Sequence, residues 1–321
     1  MLAMFLCATL LAANEPVRLI FDTDIGNDID DALALAMIHG LESLGEAKLL
    51  AVTITKDNPW AAVYVDLVNH FYGRGAIPIG VVRDGKTPED SRMIRIPAER
   101  RKADGSLLYE RKLASSRDAP EATGLLRRVL AGEKDRSVVI VQVGFSTNLA
   151  RLLESPGGRD LVARKVRLLS IMAGQYPTGK PEYNVRVDVP SAQRVFSQWP
   201  TPIVASGFEI GLSILYPASS IEKDFAYVAN HPIADAYKSY KAMPYDRPTW
   251  DLTSVLYAVR PQGGYFSLSP RGRISAAADG TTRFEPDAQG THQHLVVGDA
   301  QRQRALAAMI ELASRRPGAL H

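Results

Sequence analysis

The chain has 321 residues, with 38 Lys and Arg against 35 Asp and Glu and a single cysteine, Cys7. A net charge of +3 is too close to balance for the basic surface that nucleic-acid or membrane binding requires. One cysteine excludes an intrachain disulfide framework. The length suits one large α/β domain or two small ones, either with an ample core.

Residues 1–13 form an uninterrupted run of apolar or small residues, MLAMFLCATLLAA, that is too short to span a membrane. The run resembles the apolar core of a secretory signal peptide without its basic leader. The alternative is an apolar N-terminus or a buried first strand. We expect a signal-peptide remnant over 1–13, a single domain over 14–321, and a secreted or periplasmic protein, or a cytoplasmic one if this segment is not a signal.

Residues 19–34, LIFDTDIGNDIDDALA, predict a strand, a tight turn and the start of a helix. The segment contains five acids, Asp22, Asp24, Asp28, Asp30 and Asp31. Carboxylates this close repel one another unless water or a cation offsets their charge. Ca²⁺ accepts six to eight oxygen ligands, so it suits such a cluster. The alternative is that Asp28 or Asp30 caps the helix while the other acids are solvated at its N-terminal end.

Strands and helices then alternate along the chain. Strands are predicted at 48–55, 77–82, 137–143, 166–172 and 202–206. Helices are predicted at 30–44, 59–71, 121–131 and 300–314, with one further helix beginning at 190 and another ending near 259. The alternation predicts an α/β fold, with an open, mostly parallel central sheet flanked by helices and a Rossmann-like core. Residues 84–118 are expected to be a charged surface insertion or a lid. Short antiparallel strands are expected at 264–268, 273–276 and 294–297.

Polar side chains follow most of the predicted strands, namely Asp22, Asp24, Asp57, Asn58, Asn148, Glu182, Asn184 and Asp251. In a parallel α/β sheet the carboxyl ends of the strands meet at one edge, where ligands bind. A calcium ion with Glu and Asn side chains beside it suits a polyhydroxylated ligand, whose vicinal hydroxyls complete the metal shell.

The motif Asp22-Thr23-Asp24-Ile25-Gly26, followed by Asp30-Asp31-Ala32, resembles the N-terminal motif of the inosine-uridine-preferring nucleoside hydrolase family. The similarity runs from Arg18 to the last helix, and the spacing within the motif is two residues longer than is common. The resemblance implies a nucleoside hydrolase-like fold, a bound Ca²⁺ and hydrolysis of the N-glycosidic bond of a ribonucleoside or related N-riboside. It also implies no nucleic-acid or membrane partner, and homo-oligomers are common in the family.

The resemblance also implies roles for individual residues. Asp24 resembles the aspartate that binds the metal and activates water, and Asp31 resembles the bidentate calcium ligand. The carbonyl of Val143 and the carboxylate of Asp251 complete the metal ligands, and Asp22 lies behind them. The residues matched to substrate binding are Asp30, Asn58, Met172, Glu182, Asn184 and Trp250.

The sequence departs from the family where the nucleobase is recognised. The family's best-known members have a leaving-group histidine at the position of Trp250, and the asparagine expected before Glu182 is not evident in residues 175–179. Stacking on the base by Trp250, Tyr176, Tyr183 or Phe145 could ease its departure, although packing is the plain alternative for any of them. His231 is the most plausible substitute acid, against its reading as an ordinary loop histidine.

Two other classes of function are open. A non-catalytic nucleoside or sugar binder on the same scaffold is consistent with the absent histidine. Phe21-Asp22-Thr23-Asp24 also resembles the opening of haloacid-dehalogenase-type phosphatases, although Gly26 occupies the position where those enzymes have Thr or Val. Ser146, Thr147 and Lys180 are only loosely placed for the rest of that pattern.

Overall fold

A computed structural model describes residues 15–318, so the predicted signal-peptide remnant at 1–13 lies outside the described residues. The strands are β1 Val17–Thr23, β2 Ala47–Lys56, β3 Ile79–Lys86, β4 Val138–Gln142, β5 Val166–Met172, β6 Ile203–Ser206, β7 Leu215–Tyr216, β8 Arg247–Pro248, β9 Ser267–Leu268, β10 Gly272–Ala276, β11 Thr282–Pro286 and β12 His292–Val296. All but β7 and β8, which pair with each other, belong to one sheet of order β11-β10-β12-β6-β5-β4-β1-β2-β3, with β9 paired to β12.

Helices cover both faces of the sheet. They are α1 Asp30–Ser43, α2 Ala61–Phe71, α3 Arg92–Glu99, α4 Ala122–Gly132, α5 Thr147–Glu154, α6 Gly158–Lys165, α7 Tyr183–Val187, α8 Val189–Gln198, α9 Phe208–Leu212, α10 Ala218–Lys223, α11 Pro232–Tyr240, α12 Trp250–Val259 and α13 Asp299–Ala313, with a 3₁₀ turn at Ser116–Asp118. Between residues 15 and 318, no helix has both the length and the apolarity to cross a membrane.

The central strand β1 is buried on both faces and pairs in parallel with β2 and β4. Side chains alternate across a strand, so Leu19 and Phe21 pack into one hydrophobic core and Ile20 into the other. Helix α1 is apolar nearly all round and lies buried against α12 and α13. Both neighbours of β1 and the helix after it are therefore fixed by packing, which sets the position of the turn between β1 and α1.

The predicted open, mostly parallel sheet is confirmed, because β3, β2, β1, β4, β5, β6 and β12 run parallel to one another. The prediction for the C-terminal strands was partly wrong. Strand β12 is antiparallel to β9 and β10 but parallel to β6, and β11 was not predicted at all. Strand β12 therefore extends the parallel sheet, and β10 and β11 form its antiparallel edge.

Residues 84–118 are less solvated than their charge predicted. They contain α3, whose Met93, Ile94 and Ala98 are buried against α2 and α11. Arg100 Nη1 lies 3.3 Å from the Asp235 carboxylate, which also accepts a hydrogen bond from the Tyr109 hydroxyl. The charged residues between the apolar ones masked a short amphipathic helix, so the segment packs onto the domain.

Gly144 lies where the ends of β1, β2 and β4 approach most closely. A Cβ at this position would be 2.5 Å from the backbone nitrogen of Asp24, 2.7 Å from the carbonyl carbon of Thr23 and closer still to Thr55 Oγ1. No real Cβ makes such contacts with backbone, so any side chain would push β1 away from β4.

We expect Gly144→Ala to lower the free energy of unfolding by about 1–3 kcal/mol, because the added methyl overpacks a region that cannot relax. Gly132→Ala is the matched control: it closes α4 and has open space around it, so a near-neutral change is expected there. Chemical denaturation of both variants measures the difference. Equal stability of the two would show that the β1–β4 contact tolerates expansion.

His231 lies in an aromatic cluster with Phe71, Tyr72, Phe225 and Tyr227. Its Nδ1 accepts a hydrogen bond from the backbone of Ile233 at the start of α11, and its Nε2 pairs with the Tyr227 hydroxyl at 2.8 Å. Burial lowers the pKa of His231 to about 3, so the imidazole is neutral in the folded protein.

Because the folded-state pKa lies below the ordinary value of about 6.5, His231 favours unfolding at acid pH. The unfolded chain takes up a proton as the pH falls through about 6.5, and the folded chain resists it down to about pH 3. As the pH falls through this window, the free energy of unfolding should decrease less steeply for His231→Asn than for the wild type. The two slopes should differ by up to about 1.4 kcal/mol per pH unit. Tyr227→Phe keeps the imidazole and should keep the wild-type slope. Denaturation series at pH 4 to 7 test this; identical slopes for wild type and His231→Asn would contradict it.

Candidate active site

A cavity of about 330 Å³ opens at the carboxyl ends of the central strands. Its walls are formed by Asp24, Asn27, Asp28, Asp30, Asp31, Val143, Met172, Glu182, Tyr183, Asn184, Phe208, Tyr240, Arg247, Trp250 and Asp251. Six of these residues are acids and one is basic. The cavity is therefore lined both by the turn after β1 and by residues more than 200 positions later in the sequence.

Four aspartates of the cavity, Asp24, Asp30, Asp31 and Asp251, are at most 5% exposed. The backbone nitrogen of Asp251 donates to Asp30 Oδ2 at 3.1 Å, which joins the start of α12 to the start of α1. Burial, together with repulsion from neighbouring acids, raises the pKa of all four carboxyls, that of Asp24 to about 7. Such a cluster requires positive charge or protons nearby.

Asp22 lies beneath this cluster and is fully buried. Its Oδ1 accepts hydrogen bonds from Thr53 at 2.5 Å and Asn148 at 2.8 Å, whereas Oδ2 has no partner among residues 15–318. Burial raises the pKa of Asp22 to about 7. Asp22 thus connects β1, β2 and α5 behind the cavity.

A chain of hydrogen bonds leads from Lys56 to Asp24. Lys56 Nζ donates to Asn27 Oδ1 at 2.8 Å and to the Thr87 carbonyl at 2.6 Å, and Asn27 Nδ2 donates to Asp24 Oδ2 at 2.7 Å. Burial lowers the pKa of the Lys56 ammonium group. The negative charges of Glu89, Asp24 and Asp31 oppose this shift because they favour the protonated form. Asn27 is one of the residues in the lengthened motif, and Lys56 was not singled out from the sequence.

Glu182 and Asn184 form the opposite wall. Glu182 caps α7, accepting hydrogen bonds from the backbone nitrogens of Gly174 at 3.0 Å and Asn184 at 2.9 Å. Asn184 Nδ2 donates to the carbonyls of Val143 at 2.6 Å and Met172 at 3.1 Å. These contacts bring the ends of β4 and β5 and the start of α7 to one place, as expected for strand ends in a parallel sheet.

Arg247 is one of four cavity residues, with Asn27, Phe208 and Tyr240, that the sequence analysis did not single out. It forms an ion pair with Asp28, and its Nε lies 3.7 Å from Asp30 Oδ1. Its guanidinium carbon lies 5.0 Å from the ring centroid of Trp250 and 5.2 Å from that of Tyr240. Two signals were present in the sequence: the acid Asp28, and a basic residue three positions before Trp250.

Four sequence candidates lie elsewhere. Asn58 is not in this cavity: its Nδ2 donates to the carbonyls of Pro88 and Glu89, and it lines a neighbouring cleft, so we withdraw it from the substrate set. His231 lies in the aromatic cluster and cannot act as the acid here. Phe145 is fully buried, and Tyr176 stacks on His294. Of the proposed stacking residues, only Trp250 and Tyr183 line the cavity.

The donor set was compared with what a metal ion would need. Every candidate ligand is an oxygen, which suits a hard cation such as Ca²⁺, and burial with mutual repulsion raises the carboxyl pKa values, so a bound cation would stabilise the ionised carboxylates. As the side chains lie, however, no three Asp, Glu, His or Cys groups in residues 15–318 are arranged closely enough to form a metal cluster. In kind the donors suit a calcium ion, and the family resemblance names Asp24, Asp31, Asp251 and the Val143 carbonyl as the groups that would hold it.

Solved structures of known proteins share this fold. A plant nucleoside hydrolase, the PpNRh1 enzyme, is 22% identical, with a TM-score of 0.69 over 93% of this chain and 99% of its own. The inosine-uridine preferring nucleoside hydrolase of Bacillus anthracis is 17% identical, with a TM-score of 0.70 over 92% and 99%. The type III effector protein XopQ, complexed with adenosine diphosphate ribose, is 17% identical, with a TM-score of 0.70 over 94% of both chains.

Among curated proteins, none matches this sequence. The sequence model of one family, described as inosine-uridine preferring nucleoside hydrolase, matches residues 19–315. This range includes every residue of the cavity described above. The chain therefore belongs to the inosine-uridine preferring nucleoside hydrolase family, a family of N-glycosyl hydrolases.

Proposed function

We propose that this protein is a calcium-dependent hydrolase of a ribonucleoside or related N-riboside, releasing ribose and the free base. The observation that carries the proposal is the meeting of Asp24, Asp31 and Asp251 with Glu182 and Asn184 around one cavity. Carboxylates and an amide at one site suit a pentose, whose hydroxyls both donate and accept hydrogen bonds. Because the chain belongs to the nucleoside hydrolase family, we no longer consider the phosphatase alternative.

Asp24 is the proposed general base. Its carboxylate is buried, with Oδ2 held by Asn27, and we assign to it the proton of the attacking water. When bound, Ca²⁺ supplies a more acidic water and a grip on the vicinal ribose hydroxyls. Asp30 and Glu182 add negative charge where the sugar ring becomes positive as the bond to the base breaks. Trp250 and Tyr183 offer flat surfaces for the base.

We further propose that the protein is exported, because residues 1–13 resemble the apolar core of a signal peptide. We also propose that it forms homo-oligomers, because these are common in the family. N-terminal sequencing of the mature protein tests the first, since cleavage near position 13 is expected. Light scattering tests the second. Neither proposal bears on the chemistry of the cavity.

In a reducing-sugar assay with a panel of purine, pyrimidine and nicotinamide ribosides, Asp24→Asn should lose about 10²–10⁴-fold in kcat, because the base is removed. Asp235→Asn is the matched control: Asp235 is also a buried acid but lies outside the cavity, so near-wild-type turnover is expected. Chelation should abolish turnover, and added Ca²⁺ should restore it.

Full turnover by Asp24→Asn would refute its role in water activation. Nucleoside binding without ribose release by the wild type would favour the non-catalytic alternative. Activity unaffected by chelation would remove calcium from the proposal while leaving the reaction in place.

Asn27→Ala should lower kcat about tenfold with little change in KM, because the variant loses the hydrogen bond that orients Asp24 but no proposed contact with the sugar. Lys56→Met should have a similar effect through Asn27. Asn230→Ala, an exposed position outside the cavity, is the control. Steady-state kinetics on the best nucleoside measure the split; a rise in KM alone would instead assign Asn27 to substrate binding.

A further inference from the structure

Trp250 occupies the position before Asp251 but cannot act as a leaving-group acid. Its indole Nε1 donates to the carbonyl of Phe208 at 2.9 Å, and its ring stacks on that of Phe208 with centroids 5.2 Å apart. An indole N–H is a donor only and does not give up its proton near neutral pH. Trp250 therefore has no proton to give the base, and any polar help for the departing base must come from another residue.

The guanidinium of Arg247 lies beside the Trp250 ring. Its position is fixed by Asp28 at one edge and by the rings of Trp250 and Tyr240 within 5.2 Å of its central carbon. Within residues 15–318, Nη2 is the only nitrogen of Arg247 that makes a hydrogen bond. Its Nε is buried and has no hydrogen-bond partner. Of the terminal nitrogens, Nη1 is therefore without a hydrogen-bond partner among the described residues, and Arg247 lines the cavity.

The charge on Arg247 is permanent, and the protein holds it in place. Arginine remains protonated at any pH at which proteins fold, and Asp28 and Asp30 favour the charged form further. Asp28 belongs to the lengthened turn after β1, whose spacing exceeds the common motif by two residues. The lengthened turn and Arg247 therefore form one unit, in which the acid positions the cation.

We propose that Arg247 is a catalytic residue that stabilises the negative charge on the departing base, in place of a leaving-group histidine. The inference rests on the proposed function. It differs from proton donation, because Arg247 keeps its proton throughout. Preorganised donors aimed at developing charge are effective where water is excluded.

The step balances without a protein acid. The water oxygen forms a bond to C1′ as the bond from C1′ to the base nitrogen breaks, and that nitrogen keeps the electron pair. Asp24 takes the proton of the water. The base leaves as an anion that is hydrogen-bonded to Arg247, and it takes a proton from solvent on release.

A phosphate site is the competing explanation for a cation in a sugar cavity. The lining argues against it, because six acids line the cavity and two of them, Asp28 and Asp30, already face the guanidinium. A phosphate would meet strong repulsion there, whereas a neutral base becomes negative only as it leaves.

The test compares leaving groups. In Arg247→Met, kcat/KM should fall about 10²–10³-fold for the nucleoside that the wild type hydrolyses fastest. It should stay within about threefold for p-nitrophenyl riboside, because nitrophenolate is a stable anion that leaves unaided. Arg247→Lys keeps the charge and should recover part of the loss. Arg260→Met is the matched control, since Arg260 is also ion-paired, to Glu46, but lies outside the cavity and should leave both rates unchanged.

Parallel losses on both substrates in Arg247→Met would overturn the proposal and assign Arg247 to the sugar or metal half of the site. Unchanged nucleoside hydrolysis by Arg247→Met would overturn it as well. So would a variant that is inhibited less by ribose 5-phosphate but shows no difference between the two leaving groups, since that result would identify a phosphate contact. In each of these cases the proposed function stands. If the wild type releases ribose from neither substrate, both proposals fail.

Discussion

The arrangement of the cavity depends on one constraint, the concentration of negative charge at the end of β1. Packing on both faces fixes β1, and burial of α1 fixes the next element, so the acids between them cannot move apart to reduce their repulsion. Asp251 arrives from α12 and adds to the same cluster. The free energy that folding supplies through apolar burial is what holds these charges together.

The protein partly offsets this charge with two cations of its own, one on each side of the turn. Lys56 approaches through Asn27 toward Asp24, and Arg247 approaches through Asp28 toward Asp30. Asn27 and Asp28 are adjacent in the lengthened turn. Each of these two turn residues therefore connects a cation to an aspartate: Asn27 lies between Lys56 and Asp24, and Asp28 pairs with Arg247 and accepts a hydrogen bond from the backbone nitrogen of Asp30.

The sequence was informative where a physical pattern is local. Apolar, β-branched runs predicted β1, β5 and the parallel sheet, and the family resemblance implied that Asp24, Asp31 and Asp251 would meet; all three line one cavity. Arg247 was missed because its role depends on Asp28, more than 200 residues away. The orientation of Asn58 was missed because it is set by the loop at 88–89. The packing of α3 was hidden by the charged residues among its apolar positions.

Gly26 connects this turn to α3. Its φ of +109° excludes most side chains, and a Cβ there would come within 2.6 Å of Ile94 Cδ1. The lengthened turn thus packs against α3, some 65 positions later in the sequence, and the two form one structural unit. A chimera that grafts only this motif into a relative with the shorter spacing would lack the surface on which the motif takes its shape, so α3 would have to be transplanted with it.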